Sequence, residues 1–332
     1  MGVLGPRSLV LSSLPGRVGW VAHLRRRVPA RVMKARAAEF SVTRRTSRVV
    51  ISNTRPTYRA GLVVGVAPGE RSGLRDLIAS LRCYEGDDIK VVVADDLTGE
   101  YPDGAVREEF PGVDFVRPLI ASGTGVAPFH AIQPALIHLA RSYTLPVILK
   151  CDPDTLIIGS GAFDRAIARF EQNPGLGIIG RTVRDPAHPV DPRWVIWMAH
   201  PELRWSRRFR RLVGSAEASG GGLDFAQGGA CFYSARAVAA ALQKGLMPYR
   251  QPQWSLQGQD VLSGLLIQAA GFTVEPFGLG SPIATDTDQL PGEPEDLLAA
   301  GATIVHSVRR SPAGLNEAQI REVFRAQRAR PS

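Results

Sequence analysis

Regular periodicity begins near Arg59. Residues 61–67 form a run of small and β-branched apolar residues closed by Pro68-Gly69, the pattern of a buried strand. Leu74, Leu77, Ile78 and Leu81 then recur at i, i+3, i+4 and i+7 behind Ser72, which predicts an amphipathic helix laid on a sheet. Further strands are predicted at 89–94, 113–116 and 146–150. Before the last of these, a loop with Gly123 and Gly125 leads into a helix that carries Ile132, Ala135, Leu136 and Leu139 on one face. The second half is less regular. A helix is predicted around 163–170 and a strand at 177–180, followed by a Trp-, Arg- and Pro-rich stretch over 184–211 and a glycine loop at 219–222. A helix then carries Val238, Ala241 and Leu242, and another starts near Gln259 with Leu262, Leu265, Leu266 and Ala269 inward. A strand at 303–308 and an Arg-rich helix at 317–328 follow. Strands alternating with helices at this spacing predict an α/β fold: a doubly wound, mostly parallel sheet with helices on both faces and ligands at the carboxyl ends of the strands.

Charge divides the chain more sharply than hydropathy does. The 332 residues carry a formal +9, but the first 50 hold eleven Lys or Arg against the single acid Glu39, which leaves −1 for everything after them. The expected division is a basic arm (1–58), a main domain (59–310) with a nucleotide-binding half (59–160) and an acceptor-binding half (161–310), and a basic terminal helix (311–332). A near-neutral body argues against a nucleic-acid partner. The arm is read as a disordered tail, a surface helix making weak contact with anionic lipid, or a product of start-site choice, with Met33 as a later initiator. Residues 8–14 are too short to span a bilayer and lack a signal-peptide cleavage pattern, so no transmembrane segment is expected and the cytoplasm is the expected compartment. Cys83, Cys151 and Cys231 are odd in number and far apart, which supports neither a disulfide framework nor a zinc finger.

The residues able to do chemistry sit at predicted strand ends. Asp152 and Asp154 follow an apolar strand directly, and positions i and i+2 of an extended segment project to one side. Two clustered carboxylates call for a cation, and hard oxygen ligands suit Mg²⁺ or Mn²⁺. Asp95 and Asp96 close an earlier strand, where a carboxylate can accept from a uracil imide or a ribose hydroxyl. Gly228 and Gly229 offer bare backbone for close approach of a ligand. Asp260 opens a helix, where the macrodipole favours an anion, and His306 on a late strand can supply a nitrogen ligand. Taken singly, each also fits a plain structural role: a strand-end turn, a packing glycine pair, a helix cap, a core histidine. Trp194, Trp197, Trp205 and Trp254 could pack on a sugar face or simply on the core. His130, His138, His188 and His200 show no ligand spacing.

Taken in order, these segments resemble the β-1,3-galactosyltransferase and Fringe-type glycosyltransferases, which have the GT-A fold. Leu149-Lys150-Cys151-Asp152-Pro153-Asp154-Thr155 resembles that family's Lys-X-Asp-Asp-Asp segment, and Gly228-Gly229-Ala230-Cys231-Phe232-Tyr233-Ser234 resembles its Gly-Gly-Gly-Tyr-X-X-Ser segment. Gln259-Asp260-Val261-Leu262-Ser263-Gly264 resembles its Glu-Asp-Val-X-X-Gly segment, and His306 falls where such enzymes place a metal-binding histidine. The departures are Pro153 for the middle acid and Gln259 for the glutamate. The resemblance implies a bacterial, cytoplasmic relative that moves a hexose from a UDP-sugar to an acceptor hydroxyl, a small molecule or natural product, by single inverting displacement. It implies Asp152, Asp154 and His306 as metal ligands and Asp260 as general base. It also implies Asp152 or the Asp95-Asp96 pair at the ribose, Gly228 and Gly229 against the bound sugar, and Lys150 at the diphosphate.

Two other classes stay open on sequence. A sugar-phosphate nucleotidyltransferase would use a Gly- and Arg-containing phosphate loop after the first strand, and residues 65–73 approximate one with Gly69, Arg71 and Gly73. A non-enzymatic sugar- or nucleic-acid-binding module would need carboxylates that bind no metal.

Overall fold

The computed structural model describes residues 55–67, 69–95, 108–117, 128–182, 206–249, 259–278, 281–286 and 288–329. The basic arm up to residue 54, Asp96 and the four tryptophans named above lie outside the described residues.

Seven strands form the central sheet in the order β3-β2-β1-β4-β7-β6-β8. These are β1 (Ala60–Val66), β2 (Ile89–Asp95), β3 (Asp114–Val116), β4 (Val147–Cys151), β6 (Leu176–Thr182), β7 (Ala226–Ser234) and β8 (Thr273–Pro276). β3, β2, β1 and β4 run parallel, β7 is antiparallel to both β4 and β6, and β8 is parallel to β6. All seven residues of β2 and all five of β4 are buried. Sheets covered on both faces need such unbroken apolar strands.

The period-2 alternation of side chains assigns residues to the two faces. Val63 and Val92 join the face covered by α2 (Pro128–Ser142), α4 (Arg207–Ala218), α5 (Ala235–Gln243) and α6 (Gln259–Ala269), through Leu136, Phe209, Val238 and Leu262. Leu62, Val64, Val91 and Val93 join the other face, covered by α1 (Arg71–Glu85) and α3 (Ala162–Gln172) through Leu74, Leu77 and Phe163.

A second sheet, β5-β10-β9, was not expected. It comprises β5 (Leu156–Ile157), β9 (Ile283–Thr285) and β10 (Ile304–His306), each too short to show a period. Below it, α7 (Pro294–Ala299) and α8 (Glu317–Arg328) build a third cluster, with Leu156, Leu297 and Val305 meeting Ile320 and Phe324. Burying Ile320 and Phe324 contributes about 2 kcal/mol each. The terminal helix is therefore packed on the body and starts with an Asn316/Gln319 capping box.

The stretch read as irregular over 184–211 ends in a helix. Ser206 caps α4 by accepting from the Phe209 N–H, and Phe209, Leu212, Val213 and Ala216 are buried at i, i+3, i+4 and i+7. The arginines between them hid a period that was present.

Candidate functional site

β4 delivers its chain to the carboxyl edge of the sheet, and two hydrogen bonds tie the following loop to β7. The Asp152 N–H donates to the Gly229 carbonyl at 3.0 Å, and the Thr155 hydroxyl donates to the same oxygen at 3.1 Å. Asp154 turns inward and is 7% exposed. Its Oδ2 accepts from the Ser307 hydroxyl and from Arg309 Nε, both at 2.8 Å. His306 Nε2 lies 3.2 Å from Asp154 Oδ1 and 3.8 Å from Asp152 Oδ2. One ligand atom from each of Asp152, Asp154 and His306 falls within 4.8 Å of the others. Burial would raise the Asp154 carboxyl, but His306, Ser307 and Arg309 outweigh it and hold the group well below the usual carboxylate range.

The donor set fits a divalent cation. Asp154 Oδ1 is buried with His306 Nε2 3.2 Å away and no well-aligned hydrogen bond, an arrangement that a cation between the two would complete. The Thr285 hydroxyl sits 3.1 Å from His306 Nδ1. In the tautomer that donates from Nδ1, the ring presents the Nε2 lone pair to the carboxylates, as a metal-binding histidine with a fixed partner does. A mixed set of two carboxylates and one imidazole suits Mn²⁺ better than Mg²⁺, which prefers all-oxygen shells.

Lys150 is 1% exposed and points inward. Its ammonium donates to Asp152 Oδ1 at 2.6 Å and to the Gly228 carbonyl. Burial lowers its pKa, but the fields of Asp152 and Asp260 more than reverse that, so it stays charged between them. A lysine held this way neutralises carboxylates, whereas the sequence reading had it reaching a diphosphate or solvent. Asp260, in the first turn of α6, accepts from the Gly228 N–H. Burial raises its carboxyl to about 6 despite Lys150 and that N–H.

The two glycines have occupants of their own. A Cβ on Gly228 would collide with the Asp260 carboxylate, and one on Gly229 with the His306 ring. The pair was expected to admit a ligand, and the room it leaves holds the side chains of the candidate base and the candidate metal ligand. Asp95 is buried at the end of β2, level with Val66 of β1 and 3.7 Å from Arg117 Nε. Cys151 is level with Val64, so Asp95 and Asp152 leave the same edge one strand apart.

Ser307, Arg309, Thr285 and Glu70 were not anticipated. Ser307 and Arg309 follow His306 directly, a local signal that could have been read. Glu70 accepts from the Ala67 N–H at 2.7 Å; burial, with Asp154 and Asp152 nearby, raises its carboxyl and Arg309 opposes the rise. The loose phosphate loop has other work: Arg71 pairs with Glu109, and Gly73 faces the Pro153 carbonyl.

No family model matches the chain, and no curated protein matches it. Among solved structures, 195 chains match. One is the mannosyltransferase PcManGT from Pyrobaculum calidifontis in complex with GDP-Man and Mn²⁺, with 16% identity and a TM-score of 0.38 over 68% of this chain and 55% of that one. The chain thus spans about half the length of that protein. Among the described residues, no helix is long and apolar enough to cross a membrane.

Proposed function

We propose that the protein is a metal-dependent glycosyltransferase that moves a hexose from a nucleotide-sugar, a UDP-sugar by its family resemblance, to an acceptor hydroxyl with inversion. The observation that carries the reading is the gathering of Asp152, Asp154 and His306 around an unsatisfied carboxylate oxygen, with the raised Asp260 carboxyl held just beyond Lys150. The Fringe-type order of the Asp-Pro-Asp, Gly-Gly and Gln-Asp-Val segments supports it.

Asp152, Asp154 and His306 would hold Mn²⁺ or Mg²⁺, which as a Lewis acid would stabilise charge on the leaving diphosphate. Asp260, with a carboxyl near 6, is ionised at neutral pH yet basic enough to take the acceptor's hydroxyl proton as that oxygen attacks the anomeric carbon. Lys150 donates to Asp152 and balances the charge of Asp260, so the cluster does not repel itself apart. Arg309, whose Nε is fixed on Asp154, keeps that carboxylate oriented. Asp95, at the end of β2 with β1 between it and β4, would offer a ribose contact.

The test is a donor panel of UDP- and GDP-sugars with Mn²⁺, following nucleoside diphosphate release. Metal-dependent release from one UDP-sugar is expected. No release from any donor, or pyrophosphate release from a sugar phosphate with a nucleoside triphosphate, would overturn the reading.

A further inference from the structure

The backbone of the Asp152–Asp154 loop is satisfied from three directions. The Asp152 carbonyl accepts from the Thr155 N–H at 3.1 Å, and the Asp154 carbonyl from the Val308 N–H at 3.0 Å. The carbonyl between them, that of Pro153, is reached by Arg321 Nη2 of α8 at 3.3 Å, from 168 residues along the chain. The Arg321 side chain is 7% exposed, and its other nitrogens are committed: Nη1 to Asp76 Oδ2 at 3.1 Å and Nε to Glu317 Oε1 at 2.8 Å. Asp76, on α1, also receives Arg325 and Arg328, and Arg328 and Arg321 hold its carboxyl below the usual range against the opposing effect of burial. From the other side, Gly73 of α1 brings bare backbone against the same oxygen. A Cβ there would lie 2.9 Å from the Pro153 carbonyl oxygen and 3.2 Å from Arg321 Nη2.

This carbonyl has leverage on the metal ligands. The proline ring locks φ at residue 153, so the remaining soft torsion before Asp154 is ψ of Pro153. That torsion sets the direction of the Pro153 carbonyl and, with it, the plane of the peptide that carries Asp154. The loop also borders a cavity of about 430 Å³ lined by Gly73, Pro153, Asp154, Arg309 and Arg321, so apolar packing does not hold it on that side. Arginine suits the task because its planar fork engages Asp76, Glu317 and the carbonyl at once; a lysine ammonium has no such fixed geometry.

We propose that Arg321 is a positioning residue for the metal site: by holding the Pro153 carbonyl against Gly73, the terminal helix sets the relative orientation of Asp152 and Asp154. The proposal rests on the metal reading of Asp152, Asp154 and His306 given above.

The experiment measures Mn²⁺ affinity of the full chain by electron paramagnetic resonance of free Mn²⁺, without donor, alongside the metal-free melting midpoint. Arg321→Lys should weaken Mn²⁺ binding by about tenfold or more, the size usual for a residue that orients a ligand from behind. Gly73→Ala approaches the same oxygen from α1 and should weaken it too, which keeps the proposal testable if Arg321→Lys does not fold. Arg328→Ala removes an Asp76 partner that does not reach Pro153; it should lower the melting midpoint while leaving Mn²⁺ affinity within about twofold, below the range such ligand-orienting residues command. Wild-type affinity in Arg321→Lys and Gly73→Ala, or equal losses in Arg328→Ala, would overturn the positioning role. A wild-type chain that binds no Mn²⁺ would instead overturn the metal reading, and this proposal with it.

Discussion

Two polar clusters built from the same residue types, one at the starts of β2 and β3 and the other at the carboxyl end of β4, end in opposite states. At the start of β2 and β3, Lys90 donates to Asp114 Oδ1 at 2.7 Å and to the Gly112 carbonyl at 2.8 Å. Asp114 Oδ2 meets His138 Nε2 at 2.7 Å and the Tyr143 hydroxyl at 2.5 Å. The Tyr143 ring then packs edge-on against Tyr58 and lies under the Lys90 ammonium. Both Asp114 oxygens are bonded to donors, and His138, Lys90 and Tyr143 together hold the carboxyl well below its usual range although burial pushes it up. At the carboxyl end of β4, Asp154 keeps an oxygen with no well-aligned hydrogen bond and Asp260 is pushed to about 6. A closed network ties β2, β3 and α2 together and has nothing left to offer a ligand. An open one retains binding capacity and a proton acceptor, at a cost in stability.

The comparison can be broken by substitution. The largest effect is expected from Asp260→Asn, which should lower the transfer rate by about 10³-fold while Mn²⁺ binding persists, the scale of a lost general base. Near-normal transfer by that variant would remove Asp260 from the chemistry. Asp154→Asn should weaken Mn²⁺ binding by at least about 100-fold, more than changes to residues that only orient a ligand usually do, whereas Asp114→Asn should leave it untouched. Asp114→Asn should instead cost about 2 kcal/mol in a denaturant melt, the worth of charge-assisted hydrogen bonds left without their anion. Loss of Mn²⁺ affinity in Asp114→Asn would show that the two clusters are not independent.

Smaller effects appear in pH dependence, with opposite signs in the two clusters. The Asp114 carboxyl is depressed in the fold, so its stabilisation is present above its ordinary value of 3.8 and is lost as pH falls below that. The Asp260 carboxyl is raised, so the folded chain holds that proton more tightly between pH 3.8 and about 6, and stability falls as pH rises through this window. Asp260→Asn should therefore raise the melting midpoint at pH 8 and leave it nearly unchanged at pH 4. The transfer rate of the wild type should climb with pH through about 6 as the base ionises. Equal melting midpoints for the two chains at pH 8 would argue against a strained carboxylate.

Much of the frame was legible locally. β2 and β4 match the strands expected at 89–94 and 146–150 because parallel strands covered on both faces are near-continuous apolar runs, here interrupted by Lys90 and Lys150. The Arg-rich helix expected at 317–328 is α8, where Ile320 and Phe324 are buried behind the Asn316 cap. β10 lies inside the strand expected at 303–308, but β5 and β9, of two and three residues, are too brief to carry a period, so the small sheet that brings His306 to Asp154 could not be drawn from spacing. Lys150 lies within β4, and a strand assignment does not say which groups its long side chain meets. The glycine pair stands out by itself, but its occupants, Asp260 and His306, lie 32 and 77 positions further along the chain.

The Asp152–Asp154 segment, expected to be extended, is a turn closed by the Thr155 N–H on the Asp152 carbonyl. The sequence by itself determined most of the elements and the order of the acidic and glycine segments. These follow from backbone periodicity and short-range sterics, which depend only on neighbours in the chain. The tertiary structure decided that Asp154 keeps an oxygen without a well-aligned hydrogen bond, that Lys150 turns between Asp152 and Asp260, and that Arg321 crosses the molecule to the Pro153 carbonyl. Those outcomes depend on which distant groups share a buried space, where low polarity makes each unpaired charge costly and each pairing decisive.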